Sequence, residues 1–460
     1  MAAPASFLSA VANVANTFSG QLLTQDDEGY DEARRVHNGL VDKRPHLIAR
    51  CSGVADIVDA LDLAREHELE VTVRGGGHNV AGRAVVDDGL MIDLALMKGI
   101  HVDPKARTIR AQGGVTWGEF DRETQLHGLA TTGGIVSTTG IAGLTLGGGL
   151  GWLMGTSGLT VDNLLSVEIV TADGQVLTAS EAEHPDLFWG VRGGGGNFGV
   201  ATAFEYRLHP VGPVITGGLV AHPFDKARDL LRFYRDFTAS VPDELTVYAG
   251  LAPAPDGSGT KLAALFACHC GAASDAEAAV RPLKDFGSPV MDAMGPMTYY
   301  QLNGMLDESY PRGALNYWKS RFLAELSDEA IDAMIECFAK SPATINGSGL
   351  FLEHVHGAAA RVSVDDTAFP HRDDAYSLLI VSEWTDPADS DRFIAWARES
   401  YACLEPFVVS GGYMNYLAHD EVGEPVAAAF GPNYRRLREV KAKYDAENFF
   451  HTNVNIRPVA

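Results

Sequence analysis

A strand that runs directly into three consecutive glycines restricts the folds open to this chain more than any other feature. In "VTVRGGGHNVAGRA", residues 71–84, Val71 and Val73 alternate as on a half-buried strand; Gly75, Gly76 and Gly77 then remove every side chain where the backbone leaves the sheet. Bare amides in such a turn form an anion-binding concavity, whose usual occupant is a phosphate. Two more glycine-dense stretches, "TTGGIVSTTGIAGLTLGGGLGWL" and "DLFWGVRGGGGNFGVATAFEYRLHP", repeat the signal, and glycine reaches 49 residues in all. Many close approaches to the backbone are therefore expected.

Neither standard nucleotide template fits. Gly194, Gly196 and Gly199 satisfy G-x-G-x-x-G, but they follow a helix pattern and precede a strand, the reverse of the Rossmann context. No G-x-x-x-x-G-K-[ST] occurs, which excludes a P-loop.

Composition narrows the partners. The chain has 460 residues, 46% hydrophobic and 21% charged, and no run approaches the ~18 apolar residues of a membrane span. A formal charge of −24 repels nucleic acid, so small molecules are the expected partners. Five scattered cysteines (Cys51, Cys268, Cys270, Cys337 and Cys403) do not form a disulfide framework and suit a reducing compartment. The opening "MAAPASFLSAVANVANTFSG" lacks the basic residues of a secretory leader, so it reads as a first helix and the location expected is cytoplasmic. Cys268 with Cys270, and His354 with His356, each share a strand face, but two residues do not complete a zinc site and no metal is expected.

Along the chain, "HLIA", the helical spacing of Val54, Ile57, Val58 and Leu61, and "EVTV" form a strand–helix–strand unit ending at the glycine turn. Strands follow at "GLMIDL" and "TIRAQGGV", a helix from about Trp117 to Leu126, and a hairpin turning at Asp173 and Gly174. Glycine density falls near Val211 to Pro213. From there to about Gly411 the pattern predicts an antiparallel sheet with helices, with "ELTVYAGLAP", "KLAALFACHC", "GLFLEHVHG" and "AYSLLIVSEW" as strands. The tail begins as a helix and ends in an asparagine-bearing coil.

The stretches "RGGGHN", "STTGIAGLTLGGGLGWL", "GLTVDNLLSVEIVTADG", "DLFWGVRGGGGNFGV" and "YDAENFFHTNVNI", in this order, closely resemble the FAD-linked oxidases of the berberine bridge enzyme type, which carry the vanillyl-alcohol-oxidase (PCMH-type) FAD fold. The resemblance covers nearly the whole chain. It implies an α+β protein: an FAD-binding domain over 1–212 with its core about 42–212, a substrate-binding domain over 213–411 built on an antiparallel sheet flanked by helices, and a segment 412–460 returning to the FAD domain.

The resemblance also assigns roles. His78 would carry the flavin covalently, while Arg74, Gly75, Gly76, Gly77, Asn79 and Gly82 shape its loop. Thr138, Thr139, Gly140 and Gly143 match the second FAD loop, and Gly148, Gly149 and Gly151 its continuation. Asn163 and Ile169 match a third motif; Asn415, Asn453 and Asn455 match elements that return to the flavin. Where many relatives place a second, cysteine link, Val136 stands, so a single link at His78 is expected. Ile141 matches a position held to influence oxygen entry.

The catalytic base is less constrained. Leu379 stands where several relatives have a polar or acidic group. Glu353, a carboxylate in an apolar strand, and Tyr413 and Tyr416 of "YMNY" are then the candidates. Tyr248, His354, His356 and Leu379 are expected at the substrate pocket, and Lys319 or Arg321 of "WKSRF" beside a tyrosine base. The function implied is removal of a hydride from a C–H next to an O–H or N–H of a small molecule, with electrons passing to O2, on a sugar, alcohol, cyclic amine or secondary metabolite. A dehydrogenase or oxygenase on the same fold, and a non-catalytic flavin-binding protein, are the alternatives.

Overall fold

Residues 5–345, 347–372, 376–409, 411–421 and 423–459 are described by the computed structural model. Val71–Arg74 runs parallel to Leu90–Asp93, which runs parallel to Leu47–Arg50, and Gln21–Leu23 adds an antiparallel edge. Parallel strands need a crossover, and the helix Val54–Glu66 provides it, burying Ile57, Leu61 and Ala64. The first helix, Ala5–Val14, adds Phe7 and Val11 to the same core.

A second sheet is wholly antiparallel, in the order Ile100–Asp103, Thr108–Gln112, Val200–Arg207, Leu164–Val170, Val176–Ser180. Its last two strands form the hairpin expected at Asp173 and Gly174, and the helix Trp117–Gln125 packs Trp117 and Phe120 against Tyr206 of this sheet.

The third sheet is antiparallel and has eight strands, in the order Met291–Asp292, Ile215–Pro223, Lys261–His269, Leu245–Pro253, Gly349–His354, Tyr376–Trp384, Leu315–Leu323, with Gly295–Met297 also paired to Ile215–Pro223. Period-two alternation gives its faces opposite duties. Val247, Leu265, Leu352 and Leu378 pack under the helices Ala227–Thr238, Asp328–Ala339 and Ser390–Leu404, while Tyr248, Phe266, Glu353 and Leu379 point the other way, into a cavity. The fold is α+β, with antiparallel sheets as expected.

The stretch "WKSRF" lies inside the strand Leu315–Leu323. Alternation sends Trp318 to the cavity and Lys319 and Arg321 to the helix side, where Lys319 pairs with Asp420 at 2.9 Å and Arg321 lies 4.4 Å from the Tyr401 ring centre. The tail folds back onto the first half: Lys441, in the helix Tyr434–Tyr444, is buried, pairs with Asp445 at 2.6 Å and donates to the Asn197 carbonyl at 2.6 Å and the Phe450 carbonyl at 2.9 Å.

Candidate active site

A cavity of about 480 Å³ separates the glycine loops from the open face of the third sheet. On the loop side, Gly75, Gly76, Gly77, His78 and Asn79 form one wall. Among the described residues, none of their five amides donates to a backbone acceptor, so successive N–H groups are left for an anion. Gly77 holds φ +70°, which favours glycine, and a Cβ on Gly76 would sit 2.3 Å from the Gly140 nitrogen. The first two glycine loops thus touch backbone to backbone, which brings Thr139, Gly140 and Gly143 to the cavity beside Val136. Asn453 closes the wall, donating to the Gly196 carbonyl at 2.9 Å. A pyrophosphate-bearing cofactor fits this amide-lined cradle.

Arg83 was not singled out in the sequence, although a cation a few residues past an anion-binding turn was available as a signal. Its guanidinium lines the cavity, donating to the Asn453 carbonyl at 3.2 Å and the Ala418 carbonyl at 3.4 Å, and its Nε is buried without a partner.

His78 stacks on His37, ring centres 3.8 Å apart, and its Nε2 lies 2.8 Å from Thr138 Oγ1. Burial, then the neighbouring His37, hold its pKa well below the usual imidazole value, so the ring is neutral and keeps a lone-pair nitrogen. Thr138 reaches the site only through this contact. His37, also missed in the sequence, precedes the first strand unit and carries no motif.

Several other residues expected at the cofactor lie outside the cavity wall. Arg74 is consumed by Asp93, with Nε to Oδ1 at 2.9 Å, and ties the strand end to the Ala33 carbonyl, in the stretch between Gln21–Leu23 and Leu47–Arg50. Gly82 makes room for Val41, Gly148 for Phe369, Gly149 for Thr160 and Gly151 for the Gly133 carbonyl, so these glycines serve packing between segments of the chain. Asn163 donates to the Ser157 and Leu159 carbonyls, and Ile169 and Ile141 lie in the apolar core. Asn455 has a buried Oδ1 without a partner, behind Asn453.

On the sheet side, Glu353 and Tyr248 face each other in register on neighbouring strands, and both line the cavity. Glu353 Oε1 accepts from the Tyr416 hydroxyl at 3.2 Å; Oε2 is buried with no partner, as is the Tyr248 hydroxyl. Burial pushes the Glu353 carboxyl up to about 7, only partly offset by the Ser377 hydroxyl on the paired strand, which makes no hydrogen bond to it here, and by the hydrogen bond from Tyr416. It can therefore take up or release a proton near neutrality. Burial, with Glu353 adding its charge, raises the Tyr416 phenol well above its usual value.

The tyrosines divide. Tyr413 accepts from the Gly149 amide at 2.9 Å and the Asn415 amide at 2.8 Å, while Asn415 also holds the Leu144 carbonyl at 3.1 Å. Its pKa too is raised by burial, and neither Lys319 nor Arg321 reaches either phenol, because both face the helices. The expected cationic activation of a tyrosine base is thus corrected by strand alternation. Leu379 lines the cavity as expected. His354 and His356 do not: the same alternation turns His354 to the face opposite Glu353, where it stacks on His356 at 5.1 Å and lies 5.1 Å from Tyr376.

A family model described as "FAD binding domain" matches residues 45–180, and one described as "Berberine and berberine like" matches residues 412–457. The chain is 33% identical to (R)-6-hydroxynicotine oxidase of Paenarthrobacter nicotinovorans, over 96% of this chain and 97% of that protein. It is 30% identical to an FAD-linked oxidoreductase of Dictyostelium discoideum, over 90% of this chain and 89% of that one. Among solved structures, 6-hydroxy-D-nicotine oxidase from Arthrobacter nicotinovorans superposes with a TM-score of 0.88 at 31% identity, covering 96% of this chain and 98% of that one. Glucooligosaccharide oxidase from Acremonium strictum, with its 6-S-cysteinyl, 8α-N1-histidyl FAD, gives 0.86 at 25% identity, covering 99% and 100%.

Proposed function

The chain belongs to the berberine bridge enzyme-like FAD-linked oxidoreductases, and from that membership we propose that it oxidises a small organic molecule at a carbon bearing an O–H or N–H, with Glu353 as the base. FAD is its cofactor. When bound, FAD supplies the two-electron acceptor for the substrate carbon and passes the electrons to O2.

The observation that carries this reading is the Glu353 carboxyl: buried, held at about 7, and bearing one unpartnered oxygen on the wall across from the glycine loops. As carboxylate it accepts the proton of the substrate's O–H or N–H while Tyr416 holds its other oxygen. Tyr248 offers a second hydrogen-bonding group on the adjacent strand. Opposite, the amides of Gly75 to Asn79 bind the pyrophosphate, and neutral His78 carries the flavin through one covalent bond, with Nε2 engaged by Thr138 and Nδ1 left for the link. Val136, at the wall, has no thiol for a second bond. The division into 1–212, 213–411 and 412–460 is part of the same proposal; it is supported by a third sheet whose strands all lie between Ile215 and Trp384. Among the described residues no helix is long and apolar enough to cross a membrane.

Anaerobic mixing of the purified protein with alcohols, cyclic amines and sugars tests the proposal. Bleaching of the flavin's visible absorption by at least one class, and its return on admitting air, is the expected result. A flavin that no compound bleaches points to a non-catalytic flavin-binding protein, and slow return in air to a dehydrogenase.

A further inference from the structure

The open face of the third sheet is unevenly furnished, and the unevenness describes a substrate. Hydrogen-bonding groups gather on one rung, where Tyr248 stands opposite Glu353. The next rung toward the Ala252 end reads Ala221, Ala264, Gly250 and Phe351 across four paired strands, and the one after it brings Leu262 opposite Ala252. From Tyr248 to Ala252 the strand advances four residues, about 13 Å at the rise of an antiparallel strand. The Phe351 and Phe266 rings close over Gly250, so the floor beyond Tyr248 is a trough of Ala221, Ala264 and Ala252 beside these rings and Leu262. Its backbone N–H and C=O groups are spent in the ladder between strands and offer nothing to a ligand.

Two further features fix the chemistry. Beyond the cofactor loops, Trp152, Tyr413, Asn415 and Tyr416 add polar groups around the Tyr248–Glu353 rung, and Glu308, Ser309 and Tyr310 come from one loop beside Trp318, whose strand is at the edge of the sheet; Tyr310 and Trp318 rings are 5.9 Å apart. Among the described residues, Arg83 is the sole Lys or Arg on the wall, and it belongs to the cofactor side, whereas Glu353 and Glu308 are acidic.

We propose that the site takes a neutral or cationic molecule with an aryl or alkyl body, which lies in the Ala221–Ala264–Ala252 trough and presents a single carbinol or amine to Glu353, and that carbohydrates and carboxylates are excluded. This rests on the preceding assignment of Glu353 to the reacting end. A sugar carries a hydroxyl on nearly every carbon; each one buried over this trough without a partner costs about 1–3 kcal/mol. An apolar body gains on burial what the sugar loses.

The test uses the holoenzyme under anaerobic conditions and follows the perturbation of its flavin spectrum by 1-(2-naphthyl)ethanol and 2-phenylpyrrolidine, by their body-less counterparts 2-propanol and pyrrolidine, and by cellobiose. Both aryl probes are expected to bind at least roughly tenfold tighter than their counterparts, and cellobiose not to bind. Filling the trough by Ala252→Leu, or by Ala264→Leu if the first variant loses flavin, is expected to weaken the aryl probes roughly tenfold while pyrrolidine binding and flavin content hold. Failure of the aryl probes to bind, tight binding of cellobiose, or aryl affinity unchanged in both variants overturns the proposal. Flavin reduction by cellobiose alone would leave the oxidoreductase reading standing and remove this one; tight, Ala252-sensitive aryl binding with no reduction by any compound would do the reverse.

Discussion

The Tyr416 hydroxyl holds Oε1 of Glu353 at 3.2 Å while Oε2 of the same buried carboxyl has no partner, so one oxygen is anchored and the other is free to receive a proton. A carboxyl pushed up to about 7 is a base only once it has ionised. Flavin reduction should therefore quicken as pH rises through about 7 and level off above it. Glu353→Gln should slow reduction by roughly 10²- to 10⁴-fold, flatten the profile and leave FAD content intact. Stopped-flow reduction across pH measures all three.

Tyr416→Phe and Tyr413→Phe should fail differently. The Tyr416 hydroxyl favours the Glu353 carboxylate, so its loss should move the midpoint of the reduction profile to higher pH. Tyr413 receives two amides, and Tyr413→Phe should cost about 1–3 kcal/mol of stability by stranding them, with the midpoint unmoved. Thermal denaturation beside the kinetic profile separates the two.

Gly76→Ala should abolish FAD retention. The added Cβ meets the Gly140 nitrogen at 2.3 Å and its Cα at 2.5 Å, both backbone atoms without a rotamer to relieve the clash, so roughly 3 kcal/mol or more of strain is expected. Gly295→Ala, whose Cβ meets nothing within 4 Å and which lies away from the cavity, is the control for glycine loss as such. The ratio of flavin to protein absorbance reads the outcome.

His78→Ala should retain FAD only non-covalently, so that acid precipitation leaves the colour in solution. His37→Phe keeps an aromatic face against His78 and should still be flavinylated, whereas His37→Ala, which frees the ring to turn, should be flavinylated more slowly. Mass spectrometry of the His78 peptide during reconstitution follows the difference.

Glu383 is buried on the sheet, both oxygens without partners, and burial pushes it up to about 8. The unfolded chain releases this proton near the ordinary value of 4.5 and the folded one only near 8, so stability falls as pH rises between the two. Glu383→Gln removes that loss. It should raise Tm at pH values near 8 and change it little near pH 4.5.

The first glycine turn is legible in the sequence because strand alternation over 71–74 ends on three residues without side chains, which mark where the backbone admits a close neighbour. The sequence is less informative about what meets a glycine. Gly140 and Gly143 reach the cavity, whereas Gly148, Gly149 and Gly151 yield to Phe369, Thr160 and Gly133, and nothing local distinguishes a ligand from another stretch of chain as the visitor. The resemblance places Arg74 in the cofactor loop, but its partner Asp93 is on a neighbouring strand. Lys319 and His354 were misplaced for a common reason. Alternation fixes which residues share a face, but only the cover of helices decides which face is closed, and that cover comes from segments distant in the chain.

The two-sided sheet has an evolutionary corollary. Leu245, Val247, Ala249 and Leu251 in one strand, and Leu350 and Leu352 in the next, answer to the helices and so to stability, while Tyr248, Ala252, Phe351 and Glu353 between them answer to whatever the enzyme meets. A lineage can exchange residues such as Ala252 or Leu379 with little disturbance to the scaffold beneath them. One inserted residue within either strand would interchange the two roles, setting Leu352 where Glu353 stands. Point substitution is the open route to new substrates on this framework, and length change in these strands is the closed one.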